Sequence, residues 1–198
     1  MAESLNIAKS EFILGGQKSG KSRRGELLAR AWLEQSDQHQ AVLIATATTG
    51  GDAEMAQRIA RHQRDRLERV PTMRTVEEPL ALAQSMGEHS NPRTLVLVDC
   101  LTLWLTNCLW PAHAEFKEDR PLALLDIAQI APLLVAIEQA PGPVVLVGNE
   151  IGLGVIPMGP EVRAFVDALG LLNQQVAATC ERVTLMAAGL PLTLKGGA

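Results

Sequence analysis

Residues 11–26 read EFILGGQKSGKSRRGE. Phe12-Ile13-Leu14 is an apolar run of strand length, and from Ser22 onward the pattern becomes helical. Between the two, Gly15 is followed after four residues by Gly20-Lys21-Ser22. This is the spacing of a phosphate-binding loop. The glycines let backbone N–H groups approach phosphate oxygens with no Cβ in the way. Lys21 supplies a point charge for the β- and γ-phosphates, and the Ser22 hydroxyl can ligate Mg²⁺. A helix opening at Ser22 aims its positive end at the same anion. A strand before the loop and a helix after it are the context the motif requires, so residues Gly15, Gly16, Gln17, Lys18, Ser19, Gly20, Lys21 and Ser22 are expected to bind a nucleotide.

Outward from the loop, short apolar runs alternate with longer helical patterns. Strands are expected at Phe12–Leu14, Val42–Ala47, Thr94–Asp99, Val144–Gly148 and Val183–Ala187. They are apolar at both alternating positions, as strands buried on both faces of a parallel sheet are. Helices are expected at Ser22–Gln35, Glu54–Arg69, Pro79–Glu88, Leu122–Gln139 and Glu161–Glu181. The alternation predicts an α/β fold, a mostly parallel, doubly wound sheet flanked by helices, of the P-loop NTPase type. Residues 1–198 fit one such domain, with 1–10 and the last three frayed and Pro111–Arg120 a surface loop.

Of the 198 residues, 47% are hydrophobic and 20% charged, which is a globular composition. The net charge of −4 and 3% aromatic content give no reason to expect nucleic-acid binding, so an anionic ligand needs a local site. Cys100, Cys108 and Cys180 lack metal-ligand spacing and read as thiols of a reducing compartment. With no apolar stretch of spanning length and no signal-peptide pattern at the start, the sequence reads as cytoplasmic.

Two further features carry chemistry. Asp99 closes the run Leu95-Val96-Leu97-Val98, and P-loop proteins use an acidic residue at the end of a neighbouring strand to organise Mg²⁺. The alternative is a helix N-cap, since a helix can begin at Leu101. In the helix over 54–69, Arg58, His62, Arg66 and Arg69 share one face. Arginine recognises phosphate through paired N–H donors, and a neutral imidazole can attack phosphorus. Spacing alone favours a solvated basic face, salt-bridged by Asp65 and Glu68. Without further information the chain could be a simple P-loop kinase or a nucleotide-operated switch. The Asn-Lys-x-Asp signature of switch GTPases is absent from the sequence.

The ordered series FILGGQKSGKSRRGE, LIATA, DAEMAQRIARHQRDR, RTVEEP, LVDCLTLWLTN, VVLVGNEIGLGVIP and LGLLNQQVAATCERVTLMAAGLPLTLK resembles the bifunctional adenosylcobinamide kinase / adenosylcobinamide-phosphate guanylyltransferase family of cobalamin biosynthesis. It runs from about Glu11 to Lys195. The resemblance implies phosphorylation of adenosylcobinamide by ATP or GTP. GMP is then transferred from GTP to adenosylcobinamide phosphate, giving adenosylcobinamide-GDP and pyrophosphate. It implies a GMP-histidine intermediate on His62, against the reading from spacing, with Lys21 as the second catalytic residue. Nucleotide contacts are implied at the loop, at Thr46, Ala47 and Thr48, at Gln63, Arg64, Asp65 and Arg66, and at Glu77 and Asp99. The implied metal is Mg²⁺ on Ser22 and Asp99, and the implied assembly is a homotrimer. Met73 stands where members of that family often carry an aromatic residue. Glu150, in the Asn149-Glu150-Ile151-Gly152 segment, is a candidate for organising metal or substrate, with a buried structural carboxylate as the alternative.

Overall fold

The computed structural model describes residues 5–48, 53–110 and 122–197. Thirteen elements follow in chain order: β1 (Ser10–Gly15), α1 (Lys21–Leu33), β2 (Gln40–Ala45), α2 (Ala53–Arg69), β3 (Arg74–Glu77), α3 (Leu82–His89), β4 (Thr94–Asp99), α4 (Leu101–Leu109), α5 (Leu122–Gln139), β5 (Val144–Val147), α6 (Pro160–Thr179), β6 (Arg182–Ala187) and β7 (Leu190–Lys195). The strands form one sheet in the order β3-β2-β4-β5-β1-β6-β7. Every pairing is parallel except the β6–β7 hairpin.

Strand alternation divides the core in two. Phe12, Leu14, Ile44, Val96, Val98 and Leu146 face the side covered by α3, α4, α5 and α6. Ile13, Leu43, Leu95, Leu97, Val145 and Val147 face the side of α1. Helices on both faces make the sheet doubly wound, and the near-continuous apolar strands follow from burial on both sides. On the α1 side the approach is close. A Cβ on Gly25 would lie 2.7 Å from Leu97 Cδ1, so the bare Gly25 lets the first helix settle on β4.

Several elements differ from expectation. β2 begins at Gln40 and ends at Ala45, leaving Thr46 and Ala47 in the loop that follows. β3 and β7 were not anticipated, whereas α4 opens at Leu101, where the sequence allows a helix to begin. β5 lies between β1 and β4, so the strand carrying Asp99 is not the immediate neighbour of the phosphate-loop strand. At the amino terminus Ser10 belongs to β1, the Lys9 N–H donates to Glu181 Oε2 at 2.8 Å, and Arg182 Nη1 donates to the Asn6 carbonyl at 2.6 Å. At the carboxyl end Arg182 Nε reaches the Gly196 carbonyl. The segments 111–121 and 49–52 lie outside the described residues.

Met73 is buried in the α1-side core, before the start of β3. A thioether there fills space, at the opposite end of β3 from Glu77.

Candidate nucleotide site

The carboxyl ends of the parallel strands share one rim, which is where open α/β sheets place ligands. The loop from Gly15 to Ser22 sits on that rim. Gly15 has φ 152°, and a Cβ there would stand 2.5 Å from the Met186 carbonyl oxygen and 2.6 Å from Ser19 Oγ. Lys18 is in the left-handed region at φ 55°, and Gly20 has φ 101°. These torsions wrap the loop tightly and expose residues 16–18. The first turn of α1 has no side-chain cap, so its N–H groups need an acceptor from outside the helix. Ser19 Oγ is buried without a hydrogen-bond partner. An anion with several acceptor oxygens meets both needs.

Lys21 is 7% exposed, and its Nζ donates to the Gly16 carbonyl at 2.6 Å. Burial lowers its pKa, opposed by the neighbouring Cys100 and Asp99. The loop therefore holds an under-solvated cation, an arrangement that a phosphate relieves. Asp99, half-buried at the end of β4, acts electrostatically on Lys21. It does not cap a helix: the N-cap of α4 is Cys100, with no side-chain cap bond. Asp99 is thus left available to the rim.

Thr46 is fully buried, and its hydroxyl serves the backbone at the junction of β4 and α4. Oγ1 donates to the Cys100 carbonyl at 2.7 Å and accepts from the Cys100 N–H at 2.9 Å. Its carbonyl accepts from Asn107 Nδ2 at 2.8 Å. Ala47 is half-buried and Thr48 exposed beside it. Glu77 ends the edge strand β3, paired with Ala45 and exposed. Glu150 follows β5. Its N–H donates to the Gly15 carbonyl at 3.1 Å and its Oε1 accepts from the Gly152 N–H at 2.8 Å. Neither of its alternative sequence readings anticipates this role as a brace of the phosphate loop. Neighbouring Asn149 is held from both sides, its N–H by Thr102 Oγ1 and its carbonyl by Asn173 Nδ2.

On α2, His62, Gln63 and Arg64 are exposed, while Asp65 and Arg66 are half-buried. The side chain of Arg58 lies outside the described residues. Burial lowers the Arg66 pKa, opposed by Glu26 and Asp99. Arg69 pairs with Glu26 of α1 and, at 3.6 Å, with Asp65. Of the salt bridges expected along this face, the one to Asp65 is therefore present, but the closer partner is a buried carboxylate on another helix. Glu26 was not anticipated as the partner of Arg69. Its signal was its place five residues after Lys21, one turn beyond Ser22. Burial raises its pKa, and Arg69 and Arg66 oppose that rise.

No group of three or more His, Cys, Asp or Glu suited to a metal occurs among the described residues. One hydroxyl and one carboxylate nevertheless suit Mg²⁺, which keeps several waters and takes further oxygens from phosphates. Ser22 and Asp99 fit that donor set.

The family model for cobinamide kinase / cobinamide phosphate guanyltransferase matches residues 11–194. The chain belongs to this family. Among curated relatives of the cobinamide kinase / guanyltransferase chain is the bifunctional adenosylcobalamin biosynthesis protein CobP of Pseudomonas aeruginosa. It is 42% identical over 186 residues, covering 94% of this chain and 97% of the relative. The bifunctional adenosylcobalamin biosynthesis protein CobU of Escherichia coli K12 is 35% identical over 188 residues, covering 93% and 98%. A Pyrococcus horikoshii OT3 structure superposes with TM-score 0.54 at 8% identity, covering 99% of this chain and 90% of that one. It shares the fold alone. Membership makes the cobinamide kinase / guanyltransferase chain an enzyme, and no described helix is long and apolar enough to cross a membrane.

Proposed function

We propose that one nucleotide site serves two successive reactions, with His62 as the covalent carrier of the second. In the first, the aminopropanol hydroxyl of adenosylcobinamide attacks the γ-phosphorus of ATP or GTP, and the nucleoside diphosphate leaves. Lys21 balances charge on the transferred group. Ser22 and Asp99 would hold Mg²⁺, which when bound neutralises charge on the β- and γ-oxygens.

In the second reaction, a neutral ring nitrogen of His62 attacks the α-phosphorus of GTP and expels pyrophosphate. Arg66 steadies the negative charge on the departing oxygens. A phosphate oxygen of adenosylcobinamide phosphate then displaces the histidine nitrogen, forming adenosylcobinamide-GDP and restoring His62. Two displacements replace one harder transfer. Gln63, Arg64, Asp65, Glu77, Ala47 and Thr48 are assigned to nucleotide recognition around this centre.

The observation that carries the reading is the meeting of two elements. Arg69 of α2, two turns after His62, pairs with the buried Glu26 of α1, the helix that opens with the buried Lys21. The test is incubation with GTP labelled at the α-phosphate, followed by denaturation. Acid-labile, base-stable label is expected on the protein and absent from His62→Ala; label persisting in that variant refutes the assignment. Lys21→Ala is expected to depress both reactions.

The proposed assembly is a homotrimer acting in the cytoplasm. Support for association comes from exposed apolar side chains, with Leu153, Val155, Ile156 and Met158 after β5 and Leu190, Leu192 and Leu194 along β7. Light scattering is expected to give three times the 21.3 kDa chain mass.

A further inference from the structure

Helix α2 is exposed along its middle. It has 17 residues, yet every side chain from Ala60 to Arg64 is exposed and Leu67 is 62% exposed. Two of its described attachments lie at the carboxyl end. Arg69 pairs with Glu26, whose side chain is 6% exposed, and Val70, just beyond the helix, enters the α1-side core.

The attachment fixes height as well as contact. Both α1 and α2 connect parallel strands, so both descend from the rim toward the amino ends of the strands. Glu26 lies five residues below Lys21, roughly 7.5 Å along the helix. His62 lies seven residues above Arg69, roughly 10.5 Å along its own helix. With Glu26 paired to Arg69, Lys21 and His62 both lie on the rim side of that pair, each one to two turns above it.

We propose that Glu26 is a positioning residue for guanylyl transfer, holding α2 through Arg69 so that His62 stands level with the phosphate loop. The proposal rests on His62 as the nucleotide carrier. Arg66, flanked electrostatically by Glu26 and Asp99, strengthens the same docking. Phosphoryl transfer to a hydroxyl uses the loop itself and does not depend on this alignment.

The experiment compares the full-length protein with Glu26→Gln, Arg69→Ala, Arg69→Lys and the Glu26→Gln/Arg69→Ala double variant. Each is assayed for the rate of labelling by α-labelled GTP, for cobinamide kinase kcat and nucleotide KM, and for melting temperature. Glu26→Gln and Arg69→Ala are each expected to slow labelling about tenfold or more, in line with the cost of misplacing a reacting group. Kinase kcat and KM are expected to stay within about twofold. The double variant should be no slower than the slower single, because both break one interaction. Arg69→Lys should recover most of the rate. Arg69 is the more exposed partner, so its variants carry the test if Glu26→Gln folds poorly. Wild-type labelling rates in both single variants, losses that multiply, or equal losses in both activities overturn the proposal. His62→Ala separates the two ideas. If it still labels, the histidine reading falls and this one with it. If it is silent while Glu26→Gln and Arg69→Ala label normally, only the positioning role falls.

Discussion

Gly25→Ala pits local propensity against packing on the helix that carries Lys21. The new Cβ would lie 2.7 Å from Leu97 Cδ1 and 3.4 Å from Cδ2, whereas ordinary contact begins at 3.4 Å. The gap between α1 and β4 must therefore open by 3.4 minus 2.7, or 0.7 Å, unless the Leu97 side chain turns away. Leu97 is 1% exposed, so turning it displaces other core atoms. Alanine gains about 1 kcal/mol in helix propensity over glycine. Overpacking a dense core costs about 1–3 kcal/mol. The net is a loss of about 0–2 kcal/mol, a melting decrease of roughly 0–8 °C for a chain of this size. Activity should suffer more than stability. Lys21 is one turn away on the same helix, and a shift approaching 1 Å at a reacting group costs up to about 100-fold in rate. We expect kinase kcat/KM to fall about tenfold, with recovery in Gly25→Ala/Leu97→Val, which shortens the obstructing side chain. Calorimetry and steady-state kinetics measure the two effects. A Gly25→Ala protein that melts higher and turns over undiminished would refute the close-packing account.

The lowered Lys21 pKa predicts opposite pH responses with and without nucleotide. Below its folded-state pKa the buried ammonium carries its full desolvation cost. As pH rises toward the ordinary value of 10.5, the unfolded chain holds the extra proton, so the ligand-free fold becomes more stable. Triphosphate affinity should weaken over the same interval because the ammonium is lost; equilibrium binding that stays flat through it contradicts this role. Alkylation of the native protein should modify the half-buried Cys108 before Cys100 and Cys180. Burial pushes both of those thiols up to about 12. Peptide mapping that finds Cys100 or Cys180 modified first contradicts the buried placement.

The phosphate loop and four of the five expected strands were close to their observed limits, because both signals are local. Gly15 to Ser22 is contiguous, and strands buried on two faces announce themselves as unbroken apolar runs. What was missed depends on neighbours. β3 contributes Arg74-Thr75-Val76-Glu77, with one partly buried apolar side chain, and exists because β2 offers it an edge. β7 contains Pro191 and is exposed throughout, which conceals a strand until β6 pairs with it. The apolar run Leu101-Thr102-Leu103-Trp104-Leu105 has no face to read, so helix and strand are hard to tell apart there. At the site, the sequence drew attention to Arg69 on its helix but could not supply its partner. Glu26 precedes it by 43 positions and reads as an ordinary polar residue of α1 until the fold buries it. Thr46 was legible as a position near the rim, but not as a hydroxyl whose donor and acceptor capacities both serve Cys100.

The exposed middle of α2 also bears on how such a chain can change over generations. Neither core depends on the exposed stretch from Ala60 to Arg64. Replacements there alter surface chemistry while leaving the sheet and its phosphate loop intact. Inheritance can therefore act on this helix almost as if it were a detachable tool, retuning or discarding the guanylyl transfer proposed for it while the sheet keeps its scaffold. Lys21 has no such freedom, because the loop proposed to bind phosphate is also the join between β1 and its first covering helix.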